Sequence, residues 1–237
     1  MNYLKTFLLF FASAFLFVST VQSAALTPEE SLRKKFPDLP FDSFRASPIK
    51  GLYEVNVGIQ IYYYSPETEI LVVGQFITKD RHNLTAERRL ELITARMKEL
   101  PLEKALKIGN GKNQVIEFSY PDCSHCRHAA EFFLSRSDVT RHIFFFPLSP
   151  ESESKVRYIL CSSDREKAYQ DAYAGKIDKV KFEICKDEKI EELLLVNREA
   201  VSRLGLDGTP FFFINGKAVA GADLALMTRL LEAKIKP

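Results

Sequence analysis

The stretch Pro121-Asp122-Cys123-Ser124-His125-Cys126 sets two cysteines three residues apart with a histidine between them. Several uses of such a pair compete. Zinc accepts the types of Cys123, Cys126, His125 and His128, but structural sites usually draw a second ligand pair from a distant hairpin. The chain has no second CxxC and no HxxxH. Haem attachment requires histidine directly after the second cysteine, where Arg127 stands. A structural bridge would close a very small loop and restrict the unfolded chain little. Redox exchange fits better. A cysteine at a helix start lies against unpaired backbone N–H groups and the positive end of the helix dipole, which favour a thiolate, and His125 adds to this if protonated. Cys123 is therefore expected to ionise more readily than a free cysteine and to be the nucleophile. Cys126, one turn into the helix, is expected to be more buried and to resolve the mixed disulfide. No metal and no other cofactor is implied.

Working outward, Gln114 to Ser119 reads as a strand, Ser124 to Leu134 as a helix and His142 to Phe146 as a second strand, which makes a βαβ unit. Helical segments follow over Ser152 to Ala174 and Ile190 to Leu204. The chain returns with Thr209-Pro210-Phe211-Phe212-Phe213-Ile214, the turn Asn215-Gly216, Lys217 to Ala220, and a helix from about Ala222. An Asn-Gly between two apolar runs is a strong hairpin signal. This order, βαβ, then helices, then ββα, is that of a thioredoxin fold over residues 109–237, with a helical insertion at about 150–204. Phe144 to Phe146 and Phe211 to Phe213 read as buried central strands.

Two further positions bear on the chemistry. Glu117 lies on an otherwise apolar strand six residues before Cys123; beneath the helix start it would relay the proton of Cys126, whereas at an edge it would face water. Pro210 precedes an apolar strand, where proline removes a ladder hydrogen bond. A cis bond there would turn the Thr209 backbone toward the CxxC, where it can pair with an extended substrate.

Upstream, Thr27-Pro28-Glu29-Glu30 announces a short helix running to about Phe36. From Tyr53 to Tyr63 alternate residues are apolar, and Ser65-Pro66-Glu67-Thr68 turns the chain before Ile70 to Val73, which predicts a small antiparallel sheet. Tyr62-Tyr63-Tyr64 is either a binding surface or a set of cross-strand aromatic pairs. The unit over residues 25–83 is thin and open-edged, faults that pairing with a second copy would cure. Thr85 to Leu100 reads as a helix with a narrow apolar stripe of Leu90, Ile93, Met97 and Leu100, better suited to a connector than to a core, and residues 84–108 are taken as the linker.

Lys5, the apolar run Phe7 to Val18 and the small residues to Ala25 read as a signal peptide over residues 1–24, cut between Ser23 and Ala25. No later stretch is long enough to span a bilayer, so the mature protein is expected to be exported, without stable membrane insertion. A net charge of +2, with Lys5 lost alongside the leader, gives no reason to expect nucleic acid as a partner. The mixed-sign runs Glu151 to Lys155 and Lys186 to Glu192 read as solvated helix surfaces. His82 and His142 are assigned nothing. Four cysteines in an exported chain allow three pairings. We expect Cys123 with Cys126 and Cys161 with Cys185, the latter closing a long loop around a helical stretch.

Taken with "CSSDREKAYQDAYAGK" from Cys161, Cys185 as its partner, and "GTPFFFINGKAVAGA" around Pro210, these features resemble the DsbC family of periplasmic disulfide isomerases over nearly the whole mature chain. The resemblance implies a two-domain α+β protein, with a small cystatin-like N-terminal dimerisation domain ahead of the thioredoxin-like domain. It implies a V-shaped homodimer with an apolar cleft for misfolded exported proteins, and an active-site pair kept reduced by the inner-membrane reductase DsbD. The family's usual middle pair is Gly-Tyr. Ser124-His125, with an acid placed like Glu117, is more like the DsbA oxidases, and a stabilised Cys123 thiolate makes the disulfide a stronger oxidant. The leading expectation is a periplasmic isomerase. The alternatives are a dithiol oxidase on the same scaffold and a protein that is mainly a chaperone.

Overall fold

The structure is a computed structural model and describes residues 26–233. The signal peptide read at residues 1–24 lies outside the described residues. Thr27 caps α1 (Pro28–Lys35) in a reciprocal box, its hydroxyl accepting from the Glu30 N–H while the Glu30 carboxylate accepts from the Thr27 N–H. Four antiparallel strands follow in sequence order: β1 (Ser43–Ala46), β2 (Tyr53–Val57), β3 (Gln60–Ser65) and β4 (Ile70–Val72).

The strand register distributes the tyrosines. Tyr64 and Val55 lie on one face and bury Leu32 of α1. Tyr63 lies on the other, stacked on Phe76 at 3.7 Å between ring centres, with its hydroxyl 2.5 Å from that of Thr85. Helix α2 (Leu84–Arg96) thereby covers the second face. Buried Glu54 is held there by Arg45 of β1 and Arg88 of α2. The tyrosine run is therefore divided between two packed faces.

Three readings change in this region. The alternation from Tyr53 to Tyr63 is a hairpin broken at Gly58-Ile59, because Gly58 adopts a left-handed φ of 65° that turns the chain. Ile59 at its tip is buried against the second domain, so close to Gly205 that a Cβ there would meet Ile59 at 2.6 Å. Secondly, the helix read to Leu100 ends at Arg96 in a 3-10 turn over Met97–Glu99, and it is more than a connector, since Ile93 of α2 and, past its end, Met97 and Leu100 enter the core of the second domain while Leu90 stays 37% exposed. Thirdly, strand β1 carries no alternating apolar pattern and owes its place to pairing with β2.

The second sheet begins inside the stretch read as linker. Strand β5 (Leu106–Ile108) pairs antiparallel with β7 (Val139–Phe145), which runs parallel to β6 (Asn113–Ser119). Beyond β6 come β8 (Phe211–Ile214) and β9 (Lys217–Ala220), both antiparallel, giving the order β5-β7-β6-β8-β9. Helix α3 (Ser124–Leu134) forms the crossover, and α4 (Pro150–Cys161), α5 (Arg165–Tyr173) and α6 (Glu188–Leu204) form the insertion before the closing α7 (Leu224–Glu232). Asn215 and Gly216 both have positive φ, as the tight β8–β9 turn requires.

Period two on β6 decides which side chains meet the chemistry. Ile116 and Phe118 face α6, where Phe144, Phe211, Val201 and Leu204 complete one core. Val115 faces the opposite layer with Ala129 and Phe133 of α3, Phe212 of β8 and Met227 of α7. Glu117, two residues from Val115, points into the layer that carries the cysteine helix.

Candidate active site

Cys123 is the N-cap of α3, and the N–H of Cys126 donates to its sulfur at 3.2 Å. A helix start leaves its first N–H groups without intrahelical acceptors, and here one of them is directed at a cysteine. The sequence permits this because Pro121 cannot continue a helix from upstream and α3 is apolar on the face bearing Cys126, Ala129, Ala130 and Phe133. Cys123 is 8% exposed and Cys126 is fully buried. Both are free thiols. Burial, reinforced by Cys123 beside it, pushes the Cys126 thiol well above its usual range.

Ser124 and His125 are exposed in the first turn of α3. The Thr209–Pro210 bond is cis, and the Thr209 carbonyl accepts from the Cys123 thiol at 3.7 Å. The structure thus brings Cys123, Cys126 and Thr209-Pro210 together. Cys161 and Cys185 form a disulfide between the end of α4 and the segment before α6, apart from this pair. Among the described residues no group of three or more His, Cys, Asp or Glu is placed to hold a metal ion.

Glu117 is fully buried rather than facing water. Its carboxylate accepts two bonds from Arg141 of β7, at 3.0 and 2.6 Å, one from Ser119 at 2.6 Å and one from Tyr169 at 3.1 Å. The Ser119 hydroxyl also lies 2.6 Å from that of Tyr173, which packs in the same cluster as Cys126. Arg141 is sandwiched between the rings of Phe133 and Tyr169, at 4.6 and 4.9 Å. Burial raises the pKa of both tyrosines, so they remain protonated donors. No direct hydrogen bond joins Glu117 to Cys126 among the described residues. A cavity of about 780 Å³ opens beside this network, bordered by Arg141, Tyr169 and Tyr173.

A second charged group corrects the reading of Glu151 to Lys155 as a wholly solvated surface. Lys155 is only 3% exposed, because its ammonium is matched by Asp122, immediately before Cys123, and by Asp178 at 2.9 Å. Arg127, immediately after Cys126, grips Asp178 through two bonds of 2.8 Å and donates its Nε–H to the Pro121 carbonyl at 2.5 Å. The Arg127 guanidinium holds the Asp178 carboxyl down at about 2. Sequence reasoning missed Arg141 and Lys155 as parts of the site. Arg141 lay outside the strand read from His142 to Phe146, whereas β7 begins at Val139; the neighbours of Lys155 lie too far away in sequence to suggest its burial.

Comparison with known proteins agrees with both halves of the chain. Residues 19–86 match the family described as "Disulfide bond isomerase protein N-terminal domain", and residues 100–228 match "Thioredoxin-like domain". The "Probable thiol:disulfide interchange protein DsbC" of Bordetella parapertussis is 30% identical over 199 residues, covering 82% of this chain and 69% of that protein. The "Thiol:disulfide interchange protein DsbC" of Salmonella typhimurium is 25% identical over 227 residues, 92% of this chain and 90% of its own. Among solved structures, the thiol-disulfide exchange protein alpha-DsbA2 from Wolbachia pipientis superposes with a TM-score of 0.50 at 19% identity, over 61% of this chain and 96% of that one, a likeness of fold alone. With a four-stranded domain of the first kind preceding a CxxC-bearing domain of the second, the chain belongs to the DsbC family of thiol:disulfide interchange proteins.

Proposed function

We propose that the protein is a periplasmic disulfide isomerase acting on exported proteins. The observation that carries this reading is the unequal placement of the two sulfurs. Cys123 keeps a small exposure of 8% and receives an N–H, whereas Cys126 has none and holds its proton. Thiol exchange needs one sulfur that ionises within reach of a client and another that waits. The Cys123 thiolate attacks an incorrect substrate disulfide, bonding to one sulfur and displacing the other as a thiolate. The mixed disulfide is then released by a substrate thiol, or by Cys126 after loss of its proton. Thr209 presents its backbone to an extended client segment beside Cys123.

Glu117 serves release of the mixed disulfide by Cys126. Tyr173 and Ser119 link the region of Cys126 to the Glu117 carboxylate, and the cavity beside Arg141, Tyr169 and Tyr173 offers that proton a way to water. Two copies associate through the N-terminal domain. Strand β4 lies at the sheet edge, and Ile70, Val72 and Val73 expose apolar side chains there, a combination that invites pairing with another strand. An inner-membrane thiol reductase of the DsbD kind would return the dithiol to its reduced state.

Ser124-His125 favours a second reading, a dithiol oxidase that starts from the Cys123–Cys126 disulfide. Rapid acid quenching and thiol labelling of the protein in its own compartment separates the two. Isomerase action requires mostly reduced Cys123, and a mostly oxidised pool would favour the oxidase. With purified reduced protein, rescue of a scrambled, disulfide-bonded substrate should be abolished by Cys123→Ser; rescue at an unchanged rate would contradict the exchange mechanism. Glu117→Gln removes both the relay's acid and the counter-ion of Arg141. It should lower the unfolding free energy by about 3–5 kcal/mol, the usual cost of breaking a buried ion pair. In protein that remains folded, it should slow release of a trapped mixed disulfide by Cys126 about 100-fold, the low end for a positioned proton carrier. Unchanged release would remove Glu117 from that role.

A further inference from the structure

The residues on either side of the CxxC are clamped by charge. Asp122 lies one position before Cys123 and Arg127 one position after Cys126. Both belong to a ring completed by Lys155 of α4 and by Asp178, which follows α5. Ser152 of α4 adds a hydrogen bond from its hydroxyl to Asp122 at 2.8 Å. Two cations face two carboxylates, with Glu151 at the outer side of Lys155 at 3.5 Å.

We propose that Lys155 is a positioning residue for the dithiol: it neutralises Asp122 and clamps it to α4, so that a carboxylate one residue ahead of Cys123 does not oppose the negative charge formed on that sulfur. This rests on the thiol-exchange reading. A buried ammonium is costly unless paired, and this one is paired directly with the residue preceding the proposed nucleophile. Without Lys155, the nearest remaining cation to Asp122 is Arg127, 3.5 Å away and already committed to Asp178. The insertion thus acts on the active site electrostatically, and the Cys161–Cys185 bridge ties down the segment from which Asp178 reaches it.

The relevant equilibrium is reduction by glutathione. Two glutathione thiols break the Cys123–Cys126 bond and deliver two electrons to the protein. One proton goes to Cys126, the other is divided between the Cys123 sulfur and solvent, and glutathione becomes its disulfide. A negative field at Cys123 disfavours the products.

The test measures this equilibrium constant at pH 7 for the wild-type protein, Lys155→Met, Lys155→Arg, Asp122→Asn and the Lys155→Met/Asp122→Asn double variant, each checked for folding by circular dichroism. Lys155→Met should lower the constant about tenfold, equivalent to about 30 mV. Lys155→Arg should remain near the wild-type value. Asp122→Asn should shift the constant in the opposite direction, and the double variant should return close to wild type. A merely structural role for Lys155 would not reverse sign with Asp122. Shifts in the same direction for Lys155→Met and Asp122→Asn, or none in either, would overturn the inference. If Lys155→Met fails to fold, Asp122→Asn decides: a rise supports the inference, and a fall or no change overturns it. Failure of the wild-type protein to exchange with glutathione would instead refute the underlying exchange reading.

Discussion

The structure around the cysteines depends on one short contact, the Cys126 N–H directed at the Cys123 sulfur at 3.2 Å. An N-cap position normally holds a hydroxyl or carboxamide oxygen that accepts from the first turn. Placing sulfur there gives the helix start a cap and gives that sulfur the positive end of the helix. The same turn carries Cys126 deeper, fully buried in the apolar cluster of α3 and the insertion, at whose margin Cys123 keeps its 8% exposure. One helix start therefore produces two cysteines of unlike environment. The proposed chemistry requires that difference.

The rest of the second domain keeps this helix start in place and supplies its charges. Period two along β6 sends Ile116 and Phe118 to one core and Glu117 to the layer beneath α3. A buried acid there is tolerated because Arg141 reaches it from the neighbouring strand and Ser119 and Tyr169 donate to it, with Tyr173 bonded to Ser119 behind. From the other side the insertion contributes Lys155, and Asp178 after α5, to the residues flanking the CxxC. The N-terminal domain joins this body through Ile59 and α2, which places its sheet and the exposed β4 edge outside the redox domain's core.

How much of this was legible in the sequence followed the distance over which each cause acts. Helix α3, the Asn215-Gly216 hairpin and the Thr27 capping box declare themselves within a few residues, and the structure has them where their local patterns put them. Strands β1 and β5 were not read because they are short, and each depends on one neighbouring strand rather than on its own periodicity. Lys155 looked solvated because its window is full of charges, while its partners are 33 and 23 residues away in the chain. Glu117 raised the correct question, whether it lies beneath the helix or in water. Its answer lay in Arg141, 24 residues downstream.

The most direct test of the central claim is alkylation of the fully reduced protein by iodoacetamide at pH 7, with the modified residues located by peptide mass mapping. The account predicts that label enters Cys123, faster than it enters free glutathione under the same conditions, while Cys126 stays unmodified as long as the protein is folded. Equal labelling of the two cysteines, or a Cys123 slower to react than glutathione, would contradict it.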